Sequence, residues 1–175
     1  LTGNQYQGNF INNTVAGRYN MTIVANDSAT NTNNSVTTFF TVLDTVLPNI
    51  TITGCTPATP DVFQSTPCNA TITDAAGVGI VNANVTQPTT ATVFAQTVLN
   101  NGSNYYFTFT TTTKNGTYAV RWHAADINGN NQSANDSFTV IDITPPNINL
   151  NAPENGYSTN IHNISFSFNA TDKYD

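Results

Sequence analysis

Apolar and polar residues alternate along most of this chain with a period of two. The clearest case lies within residues 117–125, where Tyr118, Val120, Trp122 and Ala124 are the apolar set. Such alternation places one face of a β-strand against a core and the other face in water. Interrupted by turn-forming residues, the pattern predicts seven strands near residues 49–54, 68–74, 79–86, 91–98, 104–113, 117–125 and 136–142. Helical periodicity is missing, so the predicted fold class is all-β, an aligned two-sheet sandwich.

The alternation also assigns individual side chains to the core or to solvent. In most of the predicted strands the main apolar residues share one parity and polar residues occupy the other. The further predicted core residues are Ile50, Ile52, Ala70, Ile72, Val81, Ala83, Val85, Phe107, Phe109, Phe138 and Val140. The predicted solvent-facing residues of the 117–125 strand are Thr117, Ala119, Arg121 and His123.

Asn-Gly pairs mark the predicted turns. A tight turn between antiparallel strands needs positive φ, which Asn and Gly adopt readily. Asn115-Gly116 therefore predicts a hairpin between the strands on either side of it. Asn101-Gly102 and Asn128-Gly129 punctuate the chain in the same way.

The sequence repeats itself with a period of about 98 residues. Residues 44–50 recur as residues 142–148, and residues 17–27 recur as residues 116–126. One sandwich per period is the expected reading of such a repeat. We therefore expect tandem repeats: the carboxyl-terminal half of one repeat at 1–48, a complete repeat at 49–146, and the amino-terminal part of a third at 147–175.

Neither partial repeat is expected to close a core by itself. The third should leave a set of apolar side chains bare: Ile148, Leu150, Ile164, Phe166 and Phe168. We favour continuation of the protein beyond this sequence. The alternative is that the front half of one copy is completed by the next copy through strand complementation. Pro145-Pro146 makes the connection between repeats short and stiff.

Asparagine and threonine dominate the composition and create many glycosylation sequons. The chain has 28 Asn and 31 Thr among 175 residues, and its composition alone would produce about six N-x-S/T sequons by chance. The sequence contains thirteen, at Asn12, Asn20, Asn26, Asn33, Asn49, Asn69, Asn84, Asn101, Asn115, Asn131, Asn135, Asn163 and Asn169. Those within predicted strands all have the solvent-facing parity, which favours real glycans over accidental sequons.

Charge and cysteine content narrow the function classes. The net charge is −6 with only four basic residues, which argues against nucleic-acid binding because phosphates need clustered Lys and Arg. No apolar run approaches the roughly 18 residues of a membrane span. Cys55 and Cys68 are expected to form a disulfide in a secreted protein. The alternative is a pair of free, buried thiols.

At this point two stretches resemble a known family. GTYAVRWHAADINGN and SFTVIDITPPNI, within residues 116–148, resemble the closing strands of bacterial and archaeal surface immunoglobulin-like repeats. NATITDAAGVGIVNANVT, residues 69–86, is similar to that family's second and third strands. The resemblance implies an immunoglobulin-like sandwich in an extracellular setting. The dense sequons resemble archaeal surface-layer, sheath and filament proteins most. The first repeat departs from the pattern at Val46-Leu47-Pro48 and Thr30-Asn31.

Residues 126–130 offer a weak calcium candidate. Asp126, Asn128 and Asn130 supply alternating oxygen atoms around a Gly, but the later bidentate Glu of a calcium loop is missing. An Asp that caps its own hairpin turn explains the same residues more simply. We therefore expect no metal and no cofactor other than covalent N-linked glycans.

A catalytic constellation is also missing from the sequence. His123 and His162 have no recurring carboxylate partner and are expected to be solvent-facing strand residues. Lys114 and Lys173 are weak candidates for isopeptide crosslinks. Trp122 alternates into the predicted core, which disfavours a sugar-stacking role. The chain is therefore expected not to be an enzyme.

The expected function is that of an extracellular structural module in a glycosylated cell-surface or filament protein. Its expected partners are neighbouring repeats, joined end to end or by strand complementation into a homopolymer or filament. One alternative is an adhesin that recognises a glycan or a partner-cell surface. Tyr105 and Tyr106 favour it slightly, because one of two adjacent strand residues must point outward. A further alternative is a spacer appendage of a secreted hydrolase.

Overall fold

The fold is built entirely from antiparallel β-strands. The computed structural model describes residues 5–11, 14–89 and 91–174, and these form twelve strands and no helix. The all-β prediction is therefore confirmed. The strands are β1 (Gly17–Asn26), β2 (Thr32–Val42), β3 (Asn49–Cys55), β4 (Thr66–Thr73), β5 (Val78–Thr86), β6 (Val93–Gln96), β7 (Leu99–Asn101), β8 (Asn104–Phe109), β9 (Gly116–Asp126), β10 (Asn131–Val140), β11 (Asn147–Ala152) and β12 (Ser167–Thr171).

Strands β3 to β10 form two four-stranded sheets. Their orders are β3-β4-β8-β7 and β10-β9-β5-β6. The inward faces meet around one apolar core, where the rings of Phe107 on β8 and Trp122 on β9 lie 5.2 Å apart across the sheets. Tyr118 on β9 stacks on Phe138 of β10 with ring centroids 5.0 Å apart. Contacts of this kind add to the free energy that apolar burial supplies.

The predicted core is confirmed for most of its residues. Tyr118, Val120, Trp122 and Ala124 are each at most 1% exposed. Ile50, Ile52 and Val81 are only half-buried and pack at the margin of the same cluster. The other predicted core residues are buried: Ala70, Ile72, Ala83, Val85, Phe107, Phe109, Phe138 and Val140.

The chain changes sheets between β6 and β7 and again between β8 and β9. The predicted strand 91–98 is shortened to β6, and β7 begins beyond its bounds, at Leu99, in the other sheet. The hairpin predicted at Asn115-Gly116 is wrong, since β8 and β9 also lie in different sheets. Gly116 has φ +126° and begins β9 opposite Val140. The positive φ of Gly116 therefore belongs to a crossover between sheets. The Asn-Gly pair alone does not distinguish such a crossover from a hairpin.

The other two Asn-Gly pairs do form hairpins. Asn101 pairs with Asn104 across the β7–β8 turn, where Gly102 has φ +60°. Asn128-Gly129 connects β9 to β10, with φ +92° at Gly129. In both hairpins the glycine is where the chain needs left-handed backbone.

Two further hairpins flank the two sheets, and their apolar faces are exposed. Within the described part of the chain, β1 pairs only with β2, and β11 pairs only with β12. Met21 and Ile23 on β1, which a shift of 99 places at the buried Val120 and Trp122 of β9, are 45% and 52% exposed. The five apolar residues expected to be bare in the third segment are exposed by 42–71%: Ile148, Leu150, Ile164, Phe166 and Phe168.

The flanking hairpin β1–β2 has side-chain contacts similar to those of β9–β10, although its register shifts between Ile23 and Ala25. Tyr19 stacks on Phe40 with ring centroids 5.2 Å apart, as Tyr118 stacks on Phe138. The Tyr19 hydroxyl donates to the Val15 carbonyl four residues earlier. The Tyr118 hydroxyl likewise contacts the residue four positions before it, by accepting from the Lys114 N–H. Sequence similarity at a shift of about 99 is thus accompanied by similar local structure.

A disulfide joins Cys55 to Cys68 at the end of the β3–β4 pair, as predicted from the sequence. Both sulfur-bearing residues are buried, at 7% and 0% exposure. The bridge closes a loop in which the two cysteines are 13 residues apart. In the unfolded chain it removes the conformational freedom of that loop.

We expect the double variant Cys55→Ser and Cys68→Ser to lose about 3 kcal/mol of unfolding free energy, the chain-entropy value for a loop of this size. Urea denaturation followed by Trp122 fluorescence would measure the loss. Reducing the wild-type protein should produce a similar loss. A variant as stable as the oxidised wild type would contradict this role for the bridge.

Candidate functional site at the junctions between the hairpins and the sheets

The β9–β10 turn is organised around the carboxylate of Asp126. This residue is 5% exposed. Its Oδ1 accepts the N–H groups of Asn128 and Asn130 at 2.8 and 2.9 Å, and its Oδ2 accepts Asn130 Nδ2 at 2.8 Å. Burial opposes ionisation, but these hydrogen bonds outweigh it and hold the pKa of Asp126 below its ordinary value of 3.8. The carboxylate therefore caps its own turn.

The β1–β2 turn has the same arrangement around Asp27. Asp27 Oδ1 accepts the N–H groups of Ala29 and Asn31 at 2.9 and 2.8 Å, and Asn31 Nδ2 donates to Oδ2 at 2.7 Å. Thr30 has φ +71° where the other turn has Gly129 at +92°. Thr30-Asn31, at the place of Gly129-Asn130, thus gives the turn a similar backbone path.

The β9–β10 turn also holds the segment that precedes β3. Asn128 Nδ2 donates to Asp44 Oδ2, and Asn130 Nδ2 donates to the Asp44 carbonyl, both at 3.1 Å. Asp44 Oδ1 accepts the Val46 N–H at 3.0 Å. The hairpin β1–β2 is therefore tied to the sheets through its exit segment. We call these contacts the first junction.

Three carboxylates converge at the first junction. Within the described residues, Asp44, Asp74 and Asp126 each place a ligand atom within 4.8 Å of the others. Asp74 Oδ1 caps the Ala76 and Gly77 N–H groups, while Asp74 Oδ2 is buried and accepts no hydrogen bond. Carboxylate oxygens are the ligands that Ca²⁺ and Mg²⁺ take in proteins.

The set that converges differs from the one that the sequence suggested. Asn128 and Asn130 direct their amide Nδ2 groups at Asp44 and donate to it. Asp44 and Asp74 were missed because they are distant from Asp126 in the sequence. The available signal was their recurrence at Asp142 and Asp172, a shift of 98.

The second junction lies where β10 runs into β11. Residues 58–62 run beside the end of β10, and Asp61 forms a parallel bridge with Ile141. Asp61 Oδ2 accepts the Thr144 hydroxyl at 2.6 Å and Oδ1 accepts the Ile143 N–H at 3.2 Å. The Thr144 hydroxyl is the main cause that holds the pKa of Asp61 below its ordinary value. Nothing in the sequence indicated Asp61, because its partners Ile143 and Thr144 are 82 and 83 positions later in the chain and only the fold brings them together.

The third segment makes further contacts at this junction. Lys173 Nζ donates to the Val62 carbonyl at 3.4 Å and lies 5.3 Å from the centre of the Phe63 ring. The Asn115 N–H donates to the Tyr174 hydroxyl at 3.2 Å. These are side-chain contacts on top of the covalent connection through Pro145-Pro146.

Corresponding segments meet at both junctions. A cleft of about 380 Å³ at the first junction is lined by Val15 and Ala16 on one side and by Ala75 and Ala76 on the other. A shift of 98 or 99 places these residues at positions 114, 115, 173 and 174. At the second junction two of these equivalent residues, Asn115 and Tyr174, form a hydrogen bond. Equivalent positions of the sequence therefore lie at both junctions.

The sequon asparagines lie toward solvent. Asn12 lies outside the described residues. Of the others, Asn69 is half-buried and the rest are exposed. Asn163 precedes β12 in the structure, although the sequence placed it in a strand. The exposed sequon residues are Asn20, Asn26, Asn33, Asn49, Asn84, Asn101, Asn115, Asn131, Asn135, Asn163 and Asn169.

The remaining candidate residues have local roles. His123 is half-buried on β9 with Nδ1 3.1 Å from Ser133 Oγ. His162 is exposed in a bend before β12, so its assignment to a strand was wrong. The backbone N–H of Lys114 donates a hydrogen bond to the Tyr118 hydroxyl. Tyr105 packs against the core, so Tyr106 is the outward member of that pair.

Comparison with known proteins adds little to these observations. No protein-family model matches the sequence, and no curated protein matches it. One similar solved structure is described as a Ca²⁺-stabilized adhesin that helps an Antarctic bacterium reach out and bind ice. It is 15% identical, with a TM-score of 0.40, and the match covers 79% of this chain and 35% of that one. The fold described above stands on the strand pairing of this chain alone.

None of the described residues forms a helix long and apolar enough to cross a membrane.

The lowered pKa of Asp126 predicts a pH-dependent contribution to stability. The unfolded chain takes up the proton first as pH falls, so the contribution is fully present above about pH 5 and is lost progressively as the pH falls through the lowered pKa of Asp126 in the folded chain. Asp126→Asn should therefore have a lower Tm than wild type at pH 7. The gap should narrow at pH 3. Glu154→Gln, at an exposed position outside the turn, is the control. A gap that stays constant from pH 7 to pH 3 would contradict the assignment.

Like charges at the first junction predict a gain of stability on removing one of them. Asp74→Asn keeps the Oδ1 cap but removes the buried, unpaired charge, so its Tm in a chelating buffer should rise slightly. Asp172→Asn is the matched control, because Asp172 Oδ1 makes the same kind of cap to the Tyr174 N–H.

A calcium titration of the wild type and the same two variants, followed by Tm, tests whether the three carboxylates bind a cation instead. If calcium raised the wild-type Tm but not that of Asp74→Asn, the cluster would hold a cation. The expectation that no metal is needed would then be wrong.

Proposed function

We propose that the chain is an extracellular, N-glycosylated structural module of a cell-surface or filament protein, built from tandem immunoglobulin-like repeats. The observation that carries the proposal is the pair of matching junctions. At the first junction Asn128 Nδ2 donates to Asp44, and at the second the Asn115 N–H donates to the Tyr174 hydroxyl. A protein whose repeats are clamped to their neighbours keeps its long axis extended, which is the requirement for a stalk, sheath or filament.

The distribution of sequons supports the same function. Edge strands present unpaired backbone groups that invite unwanted pairing. β3, β7 and β10 are edge strands, and each carries a sequon asparagine. These are Asn49 on β3, Asn101 on β7, and Asn131 and Asn135 on β10. Glycans at these positions would shield three of the four sheet edges from other chains and from proteases.

The module acts without catalysis in this proposal, and its partners are further repeats of the same kind. The exposed faces of β1–β2 and β11–β12 are the surfaces that such repeats would cover. Either further sequence of the same protein or a second copy could supply the missing strands. An extracellular location follows from the glycans and agrees with the Cys55–Cys68 disulfide.

The adhesin alternative is favoured by one observation. Tyr106 faces outward on β8, and Leu99 beside it on β7 is 54% exposed. An aromatic and an aliphatic side chain together on a sheet face could receive a ligand. The patch is small, and a sequon lies next to it.

Intact mass before and after enzymatic removal of N-glycans tests the proposal. We expect glycans at most of the thirteen sequons and extended assemblies of the native protein in electron micrographs. Peptide mapping would assign each occupied asparagine. Unglycosylated protein that remains compact and monomeric would overturn the structural function.

The second junction predicts a loss of stiffness on removing Asp61. Asp61→Ala deletes the acceptor of the Thr144 hydroxyl and the Ile143 N–H. Residues 142–146 should therefore be cleaved faster by proteases, and small-angle scattering should report a broader distribution of shapes. Glu154→Ala removes an equal charge elsewhere and should change neither. Unchanged cleavage in Asp61→Ala would show that the prolines alone set the junction.

A further inference from the structure

The row of residues across β3, β4, β8 and β7 places one sequon beside the outward tyrosine. On β4, Cys68 and Ala70 are fully buried, so Asn69 between them faces the other way. Asn69 is directly opposite Gly54 on β3 and directly opposite Tyr106 on β8. Tyr106 is in turn opposite Leu99 on β7.

The two sides of Asn69 differ in what they offer. Gly54 has no side chain, and a Cβ placed there would meet nothing within 4 Å. Tyr106 and Leu99 present a ring and a branched aliphatic chain on the same outward face. Directly opposed residues on antiparallel strands have Cβ atoms about 4.5–5.5 Å apart. A group attached to Asn69 therefore has open space toward β3 and an apolar surface toward β7.

We propose that the first sugar of an N-linked glycan on Asn69 packs against the ring of Tyr106, with Leu99 extending that surface. Pyranose rings carry C–H groups on one face, and these pack on aromatic rings as other apolar groups do. The inference rests on the proposed glycosylation and adds the residue that receives the sugar. It also assigns the outward tyrosine to the protein's own glycan, which leaves no bare aromatic patch there for an adhesin ligand.

Other strand sequons lack this arrangement. Asn84 on β5 is opposite Ala95 and Arg121, so no aromatic ring is adjacent across either neighbouring strand. Asn20 on β1 is opposite Phe39, but the Arg18 guanidinium carbon already lies 3.8 Å from the centre of that ring. Asn84 therefore serves as the matched control for Asn69.

A double-mutant cycle on glycosylated protein tests the contact. The four proteins are wild type, Asn69→Gln, Tyr106→Thr and the double variant, all expressed in a host that attaches N-glycans. Tyr106→Thr keeps a residue that suits a strand. It should lower the Tm by about 4 °C more when Asn69 carries its glycan than in the Asn69→Gln background. In the Asn84→Gln background the full effect of Tyr106→Thr should be retained.

Nuclear magnetic resonance gives a readout that does not depend on stability. The C–H protons of the first sugar on Asn69 should be shifted upfield by the tyrosine ring current, and Tyr106→Thr should abolish that shift. Leu99→Thr, which keeps the ring, should reduce the Tm difference and retain the shift. If Tyr106→Thr fails to fold, the wild-type proton shifts decide the question.

The outcomes separate this inference from the proposed function. Equal Tm losses in both backgrounds, or unshifted sugar protons in wild type, would overturn the contact. An unoccupied Asn69 beside an occupied Asn84 would overturn it as well, while the glycosylated module stands. A chain with no occupied sequon would overturn both.

Discussion

Successive residues of a β-strand must face opposite sides of the sheet, and both the fold and the proposed function of this chain depend on that constraint. On β9 it buries Tyr118, Val120 and Trp122 and turns Arg121 outward. On β4 it buries Cys68 and Ala70 and turns Asn69 outward. A shift of one residue would exchange the two sets, exposing the core and burying the amides. With charged residues at only 8% of the chain, amides and hydroxyls must supply the hydrated face.

The junctions add a second level of organisation to the sheets. A capped turn is a local device, since Asp126 binds the N–H groups of its own loop. The same turn carries Asn128 and Asn130, whose amides reach Asp44 more than 80 positions earlier. A local motif thus becomes a contact between successive segments. The energy of each hydrogen bond is modest, so orientation is maintained by several such bonds together with the proline-restricted connection.

The sequence predicted the parts of the fold that depend on local alternation. The core residues and the disulfide followed from pattern and spacing. The sheet change before Gly116 could not be predicted, because an Asn-Gly pair favours positive φ without distinguishing a crossover from a hairpin. The sheet change between β6 and β7 has no turn marker at all, since Thr97 and Val98 connect the two strands. The convergence of Asp44, Asp74 and Asp126 and the clamp by Asp61 depend on tertiary distances. Recurrence at a shift of 98 was the available signal for Asp44 and Asp74, and Asp61 carried none.

The disulfide has a mechanical consequence for an array under tension. When a domain is pulled open, its strands straighten and the protein lengthens by the slack they release. The bridge between Cys55 and Cys68 keeps the 13-residue step between them from extending. At about 3.3–3.6 Å per extended residue, and with the two Cα atoms held 4.0 Å apart, roughly 40 Å of length is withheld. The positions equivalent to the cysteines in the third segment are Pro153 and Phe166. When such an array is stretched, its domains would therefore lengthen by unequal amounts as they unfold. The domain that carries the bridge would lengthen least.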